Sequence, residues 1–283
     1  MEITIQQAIK AHQEGRIEEA ERLYRSILEN QPTNLTANNN LGVILHNLGR
    51  FDEAEVSYRK VIELKPDYVE AHYNLGNTLR KINKPNEAEK SYRKAIKLKP
   101  DYAESYLNLA ATLKELGKLD EAEASYRKVI ELKPDYVEAH YNLGNTLRKI
   151  NKPNEAEKSY RKAIKLKPDY AESYLNLAAT LKELGKLDEA EASYRKAIEL
   201  KPDYVEAHHN LEVLLKQMRL LSKIEQAKKS ENKTIISFFK RNITKLLRSD
   251  IRLNSNPLIL NRKVEAELIS QLYKINTKKL NDV

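Results

Sequence analysis

The sequence predicts an all-α fold, a solenoid of stacked helix-turn-helix units, and three observations carry that prediction. Residues 69–136 recur as residues 137–204 with one change, Val129 giving way to Ala197, so a 68-residue block occurs twice. Each block is two variants of a 34-residue unit, and the same register extends back over residues 1–68. The glycines and prolines punctuate that register. All seven glycines fall at position 8 (Gly42, Gly76, Gly144) or 15 (Gly15, Gly49, Gly117, Gly185), and eight of nine prolines at position 32 or 17. A period in this range marks a stacked array in which no unit buries its apolar face alone.

Within a unit, each element has a local cause. Position 15 ends the first helix, because the residue after a helix takes positive φ and glycine does so at least cost. Asn83 and Asn151 replace glycine there, as the next most tolerant residue. Pro85 and Pro153 at position 17 suit a helix start, and the prolines at 32, such as Pro66 and Pro100, stop the second helix. Between these marks the apolar spacing is helical, with Leu75, Leu79 and Ile82 on one stripe and Ala88, Tyr92, Ala95 and Ile96 on the next. Alanine or glycine at position 8 and alanine at position 20 let the two helices approach closely. The array is read as six units over 1–204, a partial seventh unit or capping helix over 205–222, and a basic helical segment over 223–283.

Composition removes several classes of chemistry. The 283 residues contain no cysteine, hence no disulfide, thiolate nucleophile or cysteine-based metal site. No long apolar run crosses a membrane and no secretory signal opens the chain, so a cytoplasmic location is expected. Residues 1–212 carry 34 Lys/Arg against 35 Asp/Glu, a net of −1, and residues 213–283 carry 16 against 6, a net of +10. A neutral array thus precedes a basic tail. There is no glycine-rich phosphate loop, and no catalytic constellation is visible. The expectation is a protein without enzymatic activity, cofactor or small-molecule substrate. His72, His140 and His208 recur once per 68 residues at position 4, which favours a packing or buried polar role over metal binding.

Leu-Gly or Leu-Ala at positions 7–8, Ala at 20, Tyr at 24 (Tyr24, Tyr58, Tyr92, Tyr126, Tyr160, Tyr194) and Pro at 32 resemble the tetratricopeptide repeat over residues 1 to about 215. The resemblance implies a right-handed α-α superhelix whose first helices line a concave groove. It departs at position 4, occupied by Asn38, His72, Tyr106, His140, Tyr174 and His208 in place of the family's frequent Trp. Position 6 is asparagine in six successive first helices: Asn40, Asn74, Asn108, Asn142, Asn176 and Asn210. In the family this position faces the groove, and the row resembles the asparagine ladder of O-linked N-acetylglucosamine transferases. With helices ~8–10 Å apart and an extended strand advancing ~3.3 Å per residue, one amide meets a bound peptide about every third residue. An amide donates and accepts, so it pairs with peptide backbone whatever the side chains. The plainer alternative is a local hydrogen-bonding role for asparagine at this position.

Tyr73 and Tyr141 at position 5, Asn77 and Asn145 at position 9, and the cations Arg80, Lys114, Arg148 and Lys182 at position 12 complete the candidate peptide-binding face. Such a surface suits an extended, partly acidic peptide. A clamp for a partner's C-terminal carboxylate is not supported, because position 2 is glutamate (Glu70, Glu104, Glu138, Glu172, Glu206) and position 5 is never lysine. After about Lys223 the period is lost, and SKIEQAKKSENK reads as a linker. Beyond it Ile235, Ile236, Phe239, Ile243, Leu246 and Leu247 share one helical face and Lys240, Arg241, Lys245 and Arg248 the other. The tail is open to three readings: docking on the last repeat or on a domain that follows, an anionic membrane, or nucleic acid, with the first preferred.

Three functions follow. The favoured one is an interaction scaffold that binds a protein or extended peptide in the groove. A second is the substrate-recognition region of a larger enzyme (glycosyltransferase, sulfotransferase or oxygenase) with its catalytic domain outside this chain. A third is anchoring through the basic tail, whose binding salt would weaken.

Overall fold

The computed structural model describes residues 4–229, and the tail helices expected beyond residue 230 lie outside that range. Among the described residues there are thirteen α-helices and no strand. Six hairpins take up α1 (Ile5–Gln13) with α2 (Ile17–Asn30), α3 (Leu35–Asn47) with α4 (Phe51–Leu64), α5 (Val69–Lys81) with α6 (Pro85–Leu98), α7 (Ala103–Glu115) with α8 (Leu119–Leu132), α9 (Val137–Lys149) with α10 (Pro153–Leu166), and α11 (Ala171–Glu183) with α12 (Leu187–Leu200); α13 (Val205–Lys229) follows. The chain divides into two compact units, Met1–Ala139 and His140–Val283, with the division inside α9.

In the first unit each hairpin packs its own two helices together, and each second helix packs on the next first helix: α2 on α3, α4 on α5, α6 on α7. First helices also touch in succession, α3 with α5 and α5 with α7. In the second unit α10 packs on α11, α11 on α12, and α13 on both α12 and α11. The all-α helical repeat expected from the period is therefore the observed architecture.

The turn chemistry is as the punctuation dictates. Gly15, Gly49, Gly117 and Gly185 hold φ between 75° and 77°, and Asn83 and Asn151 hold 58° and 59°. Beyond this left-handed residue the chain folds back on the helix end: the Lys84 N–H donates to the Leu79 carbonyl at 2.8 Å and the Asn83 N–H to the Arg80 carbonyl at 3.1 Å. Each second helix stops because the residue before a proline is driven out of the α region; Lys99, ahead of Pro100, sits at φ −134°, ψ 90°. Side-chain caps appear only at the start of the array, Thr4 with Gln7 on α1 and Asn34 on α3. From α5 onward the described N-termini carry none, so those helices are held by packing rather than by caps.

The core of every hairpin is a tyrosine laid against a small residue. The six position-24 tyrosines are at most 2% exposed, and the position-20 alanines are fully buried. A Cβ placed on Gly76 would stand 2.6 Å from Tyr92 Cε1, and one on Gly144 would stand 2.6 Å from Tyr160 Cε1. In these hairpins glycine at position 8 is thus set by the ring against it, while Ala8, Ala110 and Ala178 hold the position in other hairpins. Position 4 ties successive hairpins together: His72 Nε2 donates to the Pro66 carbonyl at 2.9 Å, and Asn38 Nδ2 to the Pro32 carbonyl at 3.0 Å. Both side chains are buried, and burial lowers the His72 pKa despite that bond. His208 makes the same bond at 2.8 Å but is exposed, against the expectation of a core residue.

The C-terminal helix corrects the linker expected from Ser222. α13 runs without a break to Lys229, through the first eight residues of that segment. Its register position 15 is Arg219, neither glycine nor asparagine, so nothing forces the positive φ that ends the other first helices.

Candidate functional site

The second helices carry a repeating ion network that stitches one hairpin to the next. Arg93 holds Glu89 of its own helix at 2.9 Å and Glu121 of the next hairpin at 2.5 Å, while Lys118 reaches back to Glu89 at 2.7 Å. The same triangle joins Arg59, Glu55, Glu87 and Lys84, and again Arg161, Glu157, Glu189 and Lys186. Burial alone would raise the Glu89 carboxyl, but hydrogen bonds from Lys118 and Arg93 outweigh it and hold the group below its ordinary value. The 28- and 29-residue separations that pair these charges are closed only where hairpins stack.

On the first helices, the structure brings part of the expected face together and sorts its asparagines into two kinds. Asn108 Nδ2 on α7 donates to Tyr73 Oη at 3.2 Å and to Asn77 Oδ1 at 2.8 Å, both on α5. Asn77 Oδ1 also accepts the Tyr92 hydroxyl of α6 at 2.8 Å. Four side chains from three helices thereby close one network. It recurs in the second unit, where Asn176 Nδ2 reaches Tyr141 Oη at 3.0 Å and Asn145 Oδ1 at 3.2 Å, and Tyr160 donates to Asn145 at 2.7 Å. Asn40 is held differently, its amide donating to Tyr24 at 3.1 Å. The side-chain amides of Asn74, Asn142 and Asn210 have no hydrogen-bond partner among the described residues and are half-buried. The uniform row of six is thus an alternation of held and open amides.

Aromatic packing fixes the position-5 tyrosines. Tyr73 lies 5.0 Å, ring centre to ring centre, from Tyr102 and 6.1 Å from Tyr92; Tyr141 lies 4.9 Å from Tyr170 and 6.2 Å from Tyr160. Lys99 and Lys167 in turn stand over Tyr102 and Tyr170 at 5.1 and 5.2 Å. Burial, with the Tyr73 hydroxyl nearby, pushes the Tyr102 hydroxyl up to about 12.

The cations expected at position 12 are engaged within the array. Arg80 pairs with Glu115 and Arg148 with Glu183, in each case the position-13 glutamate of the next first helix. Lys114 and Lys182 are half-buried and also engaged. The reason is the alternation at position 13, where glutamate sits beside the arginine of the helix before it. The two pairs differ in depth although their residues are identical: the Glu115 side chain is 49% exposed and that of Glu183 11%. Burial raises the Glu183 carboxyl, with Arg148 pulling the other way. No group of three or more metal-ligating side chains occurs among the described residues, and no described helix is long and apolar enough to cross a membrane.

Comparison with known proteins places this geometry. No curated protein matches the chain by sequence. Among solved structures, that of MamA is 29% identical and covers 57% of this chain and 95% of its own, with a TM-score of 0.56. YrrB, described as a TPR protein with an unusual peptide-binding site, is 21% identical, covers 67% of this chain and 97% of its own, and has a TM-score of 0.61. PilW, a type IV pilus biogenesis factor, is 23% identical over 73% of this chain and 96% of its own, also at 0.61. The last two likenesses are of fold alone. The family described as the Cilia and flagella-associated protein 70 C-terminal domain matches residues 4–235, nearly the whole repeat array and α13, and the chain belongs to that tetratricopeptide-repeat family.

Proposed function

We propose that this chain is a protein-interaction scaffold that takes an extended peptide along the exposed face of its first helices. The observation that carries the reading is the unpartnered state of Asn74 and Asn142, half-exposed amides flanked by the held amides of Asn108 and Asn176. A half-exposed amide with no protein partner keeps both donor and acceptor for a ligand's backbone. The held amides commit Nδ2 to tyrosine and asparagine and leave Oδ1 as an acceptor. Tyr73 and Tyr141, fixed by their aromatic neighbours, offer rigid contact area at small entropic cost. The solved structure of YrrB, a TPR protein described with an unusual peptide-binding site, supports a peptide as the kind of ligand.

The test is site-specific photo-crosslinking in lysate of the source cells, with the reactive residue placed in the full chain at Asn74 or Asn142, or at Lys90 on the outer face of α6. A peptide segment crosslinked from both asparagine positions, and competed by excess unlabelled chain, supports the scaffold reading. Adducts from Lys90 only would overturn the first-helix face as the binding surface.

A further inference from the structure

The second helices differ among themselves in a way the first-helix face does not use. At positions 22, 26 and 29, α6 carries Lys90, Lys94 and Lys97, and α10 carries Lys158, Lys162 and Lys165. All six are exposed, and none takes part in an ion pair or side-chain hydrogen bond among the described residues. At the same positions α8 and α12 carry an alanine, then a lysine paired to a glutamate: Lys128 with Glu131 and Lys196 with Glu199, both at 2.6 Å. On α4 the residues are Val56, Lys60 and Glu63, and Lys60 pairs with Glu63 at 2.9 Å. Lysine at position 29 of α6 and α10 removes the carboxylate that neutralises position 26 elsewhere, and lysine at 22 adds a third charge. These are uncompensated charges on helices whose arginines are all bound to glutamate, Arg93 and Arg161 included.

Residues four and three apart lie in one line on a helix, here about 10 Å long at 1.5 Å rise per residue. We infer that each stripe, on α6 and on α10, is a docking surface for an acidic helical segment of a protein partner, with carboxylates at the same four-then-three spacing. Charge and chemistry select that occupant. The array of residues 1–212 has a net charge of −1, so it offers no long-range attraction to an extended polyanion, only a local one to a short acidic segment. Bases find nothing to stack on, because Tyr92 and Tyr160 beneath the stripes are buried, and no free guanidinium grips phosphate in a bidentate manner. A lipid surface finds no exposed apolar side chain between the lysines to insert: Ser91, Tyr92 and Ala95 are buried, Ile96 is half-buried, and the exposed neighbour is Arg93. The inference concerns the opposite helices from the proposed peptide face and does not depend on that reading.

The test measures fluorescence anisotropy with the full chain and four labelled probes at low and physiological salt. The probes are an alanine-based helical peptide with glutamates at the four-then-three spacing, the same composition with glutamates scattered round the helix, a single-stranded oligonucleotide, and vesicles containing phosphatidylserine. The expected result is binding of the first peptide that weakens as salt rises and falls about tenfold when the three lysines of both stripes become glutamine, three exposed pairs being lost. The variant in which Asn74 and Asn142 become alanine binds that peptide as the parent does, which separates this surface from the first-helix face. Because all six lysines are exposed, an unchanged circular dichroism melt is expected for the glutamine variant. Equal binding of both peptides, binding indifferent to the glutamine changes, or stripe-dependent capture of the oligonucleotide or vesicles in place of the peptide would overturn the inference.

Discussion

The Tyr92 hydroxyl donates to Asn77 across the α5–α6 hairpin at 2.8 Å, whereas the hydroxyl of Tyr126, one hairpin later, is buried and has no partner. The cause is position 9, asparagine before Tyr92 and Ala111 before Tyr126. The same substitution at these two tyrosines therefore acts in opposite directions. Tyr92→Phe removes a made bond and is expected to cost about 1 kcal/mol, while Tyr126→Phe removes an unmet desolvation cost and is neutral or stabilising by up to about 1 kcal/mol. Urea unfolding midpoints of the two variants decide the matter, and equal losses from both would refute this assignment.

Glycine at position 8 is demanded by space. In Gly76→Ala the new Cβ meets the Tyr92 ring 2.6–2.9 Å away, and the ring, fully buried, must shift to admit it. The expected cost is about 1–3 kcal/mol, which also disturbs the Tyr92–Asn77 bond. Ala110 holds this position before Tyr126, where no such bond anchors the ring. Transplanting Ala111→Asn into that hairpin is therefore not expected to restore the bond without Ala110→Gly as well, a point that amide exchange at the α7–α8 turn would report.

At position 15 the demand is on the backbone. Asn83 sits at φ 58° and Asn151 at 59°, where a Cβ-bearing residue other than asparagine is strained. Asn83→Ala is expected to lower stability by about 1–2 kcal/mol, and Asn83→Gly to leave it unchanged or raise it slightly. A thermal melt showing alanine as good as glycine there would contradict the observed turn.

Acid should weaken the second-helix ion network. Glu55, Glu89 and Glu157 are held below the ordinary carboxylate range, the lysine and arginine bonds outweighing burial, and Glu53 is lowered to about 2 by Arg50 and Arg25. A depressed folded-state pKa means that the carboxylates add stability above the unfolded value near 4.5 and lose it as pH falls through the folded values. The melting temperature is expected to hold from pH 7 to 5 and decline from pH 4.5 toward 2. The Glu53 side chain is 47% exposed, so solvent screening keeps its share small, and added salt should shrink the network's contribution further. Glu183 works with the opposite sign, because burial raises it, so its protonation relieves a cost as pH falls. A melting temperature rising below pH 4.5 would mean that Glu183 and its kind dominate.

Within the six hairpins the sequence by itself determined the helices, their ends and their core, because each of these is settled within one turn or one hairpin, whereas the end of α13, which has no such mark, was not legible. Gly117 or Asn83 ends a helix through its own φ, Pro100 stops one through its own ring, and Tyr92 is buried by the glycine beneath it. The tertiary structure alone decided which of six like asparagines keep a free amide. That choice rests on Tyr73 and Asn77, 35 and 31 residues before Asn108, which no local pattern brings together. The same holds for Arg80 and Glu115, whose pairing engages a cation of the expected face within the array, and for Arg93 and Glu121 on the outer face. Hydrogen bonds and ion pairs act over about 3 Å, so they are fixed by how one hairpin seats on the next, and that seating exists only in three dimensions.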